Sequence, residues 1–275
     1  MSSAAASPVF DRTSSPTWVA IQRYMLRCCG VVLRDDQAYL ADARLLPVAK
    51  EHGFSSVERF AFAATTAKPG DPLGVALIDA MTTHETLFFR DANMWKAMAQ
   101  TVLPALLAKA RNGGRVRVWS AACSTGQEPY SLAMLIAETA PELLPRFEIF
   151  ASDVSPGAIA QAVAGSYSTM EVNRGLTAAR VVRHFAHQTG QYHIRDELRA
   201  AVAWSVHNLL GTAPDPMQCD LVLCRNVLIY FGDCDRTAVV DRLFRACAVQ
   251  GHVIVGATET LRAASLGPGV YRRER

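Results

Sequence analysis

The chain of 275 residues predicts a doubly wound α/β fold that carries a small inserted β-subdomain and is preceded by an all-helical N-terminal domain. Three observations support this. From Val116 onward, short apolar runs of strand length alternate with helical stretches, the pattern of a parallel sheet covered by helices. Before Ala80 only helical periodicity is present. Between Gly165 and His207 the alternation breaks, and Gln191–Ile194 with Ala201–His207 read as short strands of an inserted element spanning about 165–207.

Residues 1–16, MSSAAASPVFDRTSSP, lack the basic and apolar regions of a secretion signal and read as a disordered tail. The helical domain, 17–80, is drawn from Trp18, Ile21 and Met25, then Tyr39, Leu40, Leu45 and Leu46, then Phe54, Val57, Phe60 and Ala61. His52-Gly53 closes one helix and Ser55-Ser56 can cap the next. After the breakers Pro69, Gly70, Pro72 and Gly74, a last helix runs towards Met81. Residues 81–95 form a linker, and its MTTHETLFFRD leads into a helical stretch ending near Asn112-Gly113-Gly114. The α/β domain, 96–275, then reads as strand Val116–Ala121, helix Glu128–Ala137, strand Phe147–Ser152 and helix Pro156–Ala164. Beyond the insertion come strand Asp220–Cys224, helix Arg236–Cys247 and strand Val253–Gly256.

Half of the residues are hydrophobic and 19% are charged, so the chain is globular. With 28 Lys and Arg against 25 Asp and Glu, the charge is too even for a nucleic-acid-binding face. The seven cysteines include no CxxC pair, which argues for a reducing cytoplasm, with no disulfide framework and no metal. Cys224 reads as a small core residue. No stretch reaches the 18–20 apolar residues, roughly, of a membrane span.

The most informative segment is SAACSTGQEPYS, Ser120–Ser131, between an apolar strand and a helix, with Asp153 at the end of the next strand. Strand, small-residue turn, helix, and then a strand ending in a carboxylate is how a nucleoside-binding crevice is built. Asp153 can accept both ribose hydroxyls; the alternative, a cap on the helix that starts at Ser155-Pro156, is compatible with this because a cap uses one oxygen. The turn has no GxxxxGK[ST] run and one glycine, Gly126, where a pyrophosphate-binding turn would have three. Together with Glu128 this suits a cationic ligand without phosphate, such as S-adenosylmethionine, and hence methyl transfer. The competing reading is a tight turn that holds no ligand.

Five strings, in order, extend the pattern: MTTHETLFFRD (Met81–Asp91), VWSAACSTGQEPYSLAM (Val118–Met134), ASDVS (Ala151–Ser155), HNLL (His207–Leu210) and DLVLCRNVLIYF (Asp220–Phe231). They resemble the bacterial chemotaxis receptor methyltransferases, the CheR family, over residues 17 to 260 or so. The resemblance implies a Rossmann-like S-adenosylmethionine-dependent methyltransferase domain acting on glutamate side chains of chemoreceptor cytoplasmic helices and releasing S-adenosylhomocysteine. It places His84, Thr86 and Arg90 at the cofactor, Glu128 at its methionine end, Asp153 at the ribose and Asn208 with Leu209 around the adenine. Asn226 and Val227 fall beside the reacting methyl, with Tyr230 and Arg90 as the catalytic pair. Each residue type has a structural alternative: Arg90 an ion pair, Tyr230 a core aromatic with a polar tip, Asn226 a cap.

Departures from the family pattern carry expectations too. His84 stands where relatives have Asn, which exchanges an amide for a titratable ring. The basic receptor-docking helix of relatives is here ADARLLPVAKEH, leaving Arg44 and Lys50 as docking residues. Residues 17–80 hold seven Lys/Arg and seven Asp/Glu, so steering there is weak. The short Ala186–Tyr192 stretch implies that the receptor's C-terminal pentapeptide tether is not bound.

Overall fold

The computed structural model describes residues 15–68, 70–211, 218–267 and 269–274. The expected tail lies outside them except for Ser15 and Pro16. The chain divides into two compact units, one ending at Thr82 and one running from Thr83.

The first unit holds helices α1 (Pro16–Cys29), α2 (Tyr39–Glu51), α3 (Val57–Thr66) and α4 (Pro72–Met81). Their ends follow local chemistry. Pro16 opens α1, Ser56 accepts from the N–H of Arg59 at the start of α3, and Asp71 accepts from that of Leu73 at the start of α4. Trp18, Ile21, Met25, Leu45, Phe60 and Leu77 form the buried core, whereas Tyr39 and Leu46, on the same periodicity, face solvent.

In the second unit, α5 (Ala92–Thr101) and α6 (Leu103–Arg111) replace the expected single helix. They are followed by β1 (Val116–Ala121), α7 (Gln127–Thr139), β2 (Phe147–Asp153) and α8 (Pro156–Ala164). The insertion holds β3 (Ser166–Tyr167), α9 (Thr169–Asn173), α10 (Ala178–His184), β4 (Phe185–Gln188), β5 (Gln191–Ile194) and α11 (Asp196–Arg199). Then come β6 (Val202–Val206), β7 (Cys219–Cys224), α12 (Asp233–Ala246), β8 (Cys247–Val255), β9 (Ala264–Gly267) and β10 (Val270–Arg272).

Seven strands form one sheet in the order β6-β2-β1-β7-β8-β10-β9, and β3, β5 and β4 form a separate antiparallel sheet. The first five strands are parallel, and the β9–β10 hairpin closes the far edge antiparallel. Alternate residues feed two cores: Val116, Val118, Leu221 and Leu223 on one face, Trp119, Ala121, Val222 and Cys224 on the other. Burial on both faces is why these strands read as unbroken apolar runs.

One expectation is corrected. Ala201–His207 does not join the inserted sheet; β6 pairs parallel with β2, Val202 against Ile149 through Val206 against Asp153. Its apolar-polar alternation fits either sheet, and what decides the partner is the long connection that returns the chain to the edge of β2. The small sheet therefore ends at Ile194, whose N–H donates to Gly165 O at 2.9 Å, so the excursion leaves the chain where it entered.

Candidate active site

The chain runs from β1 to β2 on one side and later from β6 to β7 on the other. The strand order reverses between β1 and β7, and the crevice above their carboxyl ends is where ligands sit in such sheets. Of the described non-glycine residues with left-handed backbone, five belong to segments converging there: Phe89, Asp91, Ala122, Ser124 and Asn226, with φ of 50°, 63°, 59°, 51° and 58°. Each costs on the order of 1 kcal/mol and persists only where surrounding contacts enforce it, as at ligand sites.

The β1–α7 turn is one such place. Gly126 has φ 94°, and a Cβ there would lie 2.8 Å from Cβ of Ala162 and 3.0 Å from the Trp204 ring. No side chain caps α7. Asp153, 8% exposed, accepts from Ser124 N–H at 2.8 Å through Oδ2 and from Ser155 N–H at 3.0 Å through Oδ1. It thus clasps the turn, and each oxygen keeps a lone pair. The cap of α8 is Ser155, which accepts from Ala158 N–H at 2.9 Å, so Asp153 does not cap that helix. Burial pushes the Asp153 carboxyl up; the two N–H bonds and the nearby His84 ring pull the other way. His84 is tied to the turn by its carbonyl, which accepts from Ser124 Oγ at 3.1 Å.

Glu128 sits at the start of α7, buried, with Oε1 accepting from Ser120 Oγ at 2.8 Å and Oε2 from Arg225 Nη1 at 3.1 Å. Burial raises its carboxyl above the ordinary range despite Arg225. Arg225, at the end of β7, also donates through Nη2 to Arg90 O and to Asp91 Oδ2, both at 2.7 Å. Its side chain is 2% exposed, and Nε is buried with no partner among the described residues. A second missed residue is Glu259, 1% exposed. Its carboxylate accepts from the N–H groups of Asn226, Leu228 and Gly256 at 2.9, 2.8 and 2.7 Å, holding the turn after β7 to the one after β8.

The remaining residues distribute as follows. Asn208 accepts from Leu210 N–H at 3.0 Å, and Leu209 is buried with its carbonyl bound by Arg242. Asn226 and Val227 form the turn above β7, and half-buried Tyr230 ends the short 3-10 helix behind them. Thr86 and Arg90 lie half-buried in the segment before α5, and Arg90 Nη1 donates to Glu85 O at 2.9 Å. In the first unit, Arg44 donates to the carbonyls of Met81 and Thr82 at the end of α4, and Lys50 is exposed.

The segment bearing His84, Thr86 and Arg90 is braced by the insertion. Phe88 packs edge-on against Tyr167 and Phe185, with ring centroids 5.0 and 5.5 Å away. The Arg180 guanidinium lies 3.7 Å from the Phe89 ring centroid and grips Glu138 on α7 with both Nε and Nη2. His184 bonds the same carboxylate at 3.0 Å. Burial works against ionisation of Glu138, but the bonds from Arg180 and His184 outweigh it and hold the carboxyl below its usual range. Burial keeps His184 below its own usual value. Both groups bind fewer protons folded than unfolded. Each therefore adds stability above its unfolded pKa, about 6.5 and 4.3 respectively for His and Glu, and loses it as pH falls through the folded one. Arg180→Ala is expected to cost about 1.5–3 kcal/mol at neutral pH. The cost shrinks on acidification as the abandoned Glu138 protonates, which urea denaturation across a pH series measures.

These residues fit the cofactor that the sequence implies. A carboxylate clasps a turn with no room for a side chain, and beside it Glu128 is bound by Arg225, which keeps a buried Nε with no partner among the described residues. Comparison with known proteins agrees. A family model described as "CheR methyltransferase, SAM binding domain" matches residues 84–266. Chemotaxis protein methyltransferase 1 of Pseudomonas aeruginosa is 37% identical over 86% of this chain and 88% of its own. The chemotaxis protein methyltransferase of Vibrio anguillarum is 35% identical over 87% of each. Sheet order, crevice and likeness over most of its length converge, and the chain belongs to the CheR family of S-adenosylmethionine-dependent methyltransferases.

Proposed function

We propose that the protein transfers the methyl group of S-adenosylmethionine to glutamate side chains on the cytoplasmic helices of chemoreceptors, leaving glutamate methyl esters and S-adenosylhomocysteine. The supporting observation is the Asp153–Ser124 clasp on the β1–α7 turn, in a chain whose relatives are named chemotaxis protein methyltransferases. Asp153 holds the ribose, Asn208 and Leu209 flank the adenine, and His84, Thr86 and Arg90 border the cofactor. Glu128 serves the methionine end, its Oε2 held by Arg225, which Asp91 shares. Asn226 and Val227 line the acceptor side.

The donor supplies an electrophilic methyl on a cationic sulfur. A glutamate, with pKa near 4.3, is already an anion at neutral pH and needs no general base. What this chain contributes is alignment, with an effect on the order of 7–11 kcal/mol for well-oriented reactants. A strong ion pair to the attacking oxygen would favour the ground state. Arg90 therefore orients the cofactor or the outer carboxylate oxygen, and Tyr230 offers a neutral hydrogen bond. Among the described residues no helix is long and apolar enough to cross a membrane, and we place the protein in the cytoplasm. The β4–β5 connection is a two-residue turn, Thr189-Gly190, both with positive φ, which supports the reading that the receptor's C-terminal pentapeptide tether is not bound.

Incubation with tritiated donor and receptor-bearing membranes, followed by mild alkali, is expected to release volatile methanol, the mark of a glutamyl ester. Cofactor binding without transfer would instead indicate a regulatory module, and label in a small molecule a different acceptor. Asp153→Ala is expected to weaken S-adenosylhomocysteine binding by about 1.5–3 kcal/mol in calorimetric titration.

A further inference from the structure

On the second unit, a groove of about 1260 Å³ runs along α12, lined by none of the residues assigned to cofactor and chemistry. Val240, Phe244 and Leu261 give it an apolar floor, and five arginines line it: Arg236, Arg245, Arg262, Arg272 and Arg273. The acidic groups along it are Asp233, Asp241 and Glu274, so the cations exceed the anions by two. Arg236, Arg245, Arg262 and Arg272 form no ion pair among the described residues. Arg236 and Arg245 donate to the carbonyls of Thr260 and Asp241, and Arg272 keeps a buried Nε without a partner. Arginines left unneutralised over an apolar floor suit an anionic, amphipathic partner segment.

The groove begins beside the acceptor side of the crevice. Asp233 lies three residues beyond Tyr230, and Thr260 follows Glu259, which holds the N–H groups of Asn226 and Leu228. From there α12 carries it 14 residues, a length of about 21 Å at 1.5 Å per residue. The first unit is evenly charged by comparison. Its basic and acidic residues are equal in number over 17–80, and Arg44 is occupied with α4 carbonyls.

We propose that the α12 groove seats the acidic helix bearing the accepting glutamate, its apolar side on Val240, Phe244 and Leu261 and its carboxylates against the arginines. The inference rests on the receptor-glutamate reading above and names the surface that serves it.

The test uses full-length protein, tritiated donor and receptor-bearing membranes. Arg245 and Arg262 are exposed, so the double variant Arg245→Glu/Arg262→Glu is expected to fold and to bind S-adenosylhomocysteine as the wild type does. Its KM for receptor is expected to rise about tenfold, with kcat unchanged and the salt dependence of KM reduced. Arg245→Lys/Arg262→Lys should restore most of the loss. A photo-reactive side chain in place of Thr237, exposed on the groove wall, is expected to cross-link to receptor. An unchanged KM in the charge-reversed variant, while the wild type methylates receptor, overturns the groove and leaves the methyl-transfer reading standing. No alkali-labile label from the wild type overturns both.

Discussion

Replacing Arg225 by methionine is expected to destabilise the second unit by about 3–5 kcal/mol and to abolish measurable S-adenosylhomocysteine binding. The size follows from what remains. Glu128 and Arg225 are both buried, so the pair itself is no large net gain over apolar residues of equal volume. Removing only the cation strands a carboxylate whose other partner is a single hydroxyl, Ser120 Oγ. The same change frees Arg90 O and Asp91 Oδ2, which Arg225 Nη2 holds at 2.7 Å, so the segment bearing His84, Thr86 and Arg90 loses its tie to the end of β7. Pairing the change with Glu128→Gln removes the stranded charge. The double variant is expected to recover most of the stability in urea denaturation and little of the binding. Equal stability of Arg225→Met and the double variant would show that Arg225 does not neutralise Glu128.

Glu259→Ala is expected to cost about 3–5 kcal/mol, since its carboxylate accepts from three backbone N–H groups and a buried donor left without an acceptor costs about 1–3 kcal/mol. Water entering the vacated space recovers part of the sum. Because Asn226 adopts a left-handed backbone and one of those bonds holds it there, the acceptor side of the crevice should relax as well. Glu259→Gln keeps one carbonyl oxygen and is expected to lose about half as much by thermal denaturation. If alanine and glutamine behave alike, the charge rather than the number of accepting atoms sustains the turn.

Both residues show where sequence reading stopped. The parallel strands, α7 and the Asp153 position are legible because strands buried on both faces leave long apolar runs and a small-residue turn marks the crevice. Arg225 stands inside CRNVLIYF, beside Asn226 and Val227, yet a cation after a strand reads as solvent-facing. The available signal was a charged residue at the carboxyl end of a buried strand, with Asp91, a carboxylate given no role, left to pair with it. Glu259 lies in ATETL, with no periodic flank, and its role depends on three amides distant in sequence or turned inward by loop geometry. The misassignment of β6 has a different cause: alternation reports that a strand is half-buried but not which strand it pairs with. The β9–β10 hairpin is made of strands too short for any period to register.

The hydrogen bond joining Gly165 to Ile194 lets the whole excursion behave as a cassette with its two ends stapled together. Its outer turn can lengthen, shrink or gain a recognition element while the neighbouring edge strand keeps its place. What cannot drift is the inner surface, where Tyr167, Phe185 and Arg180 meet Phe88 and Phe89. A graft exchanged between homologues should therefore succeed when it carries those three side chains and fail when it does not.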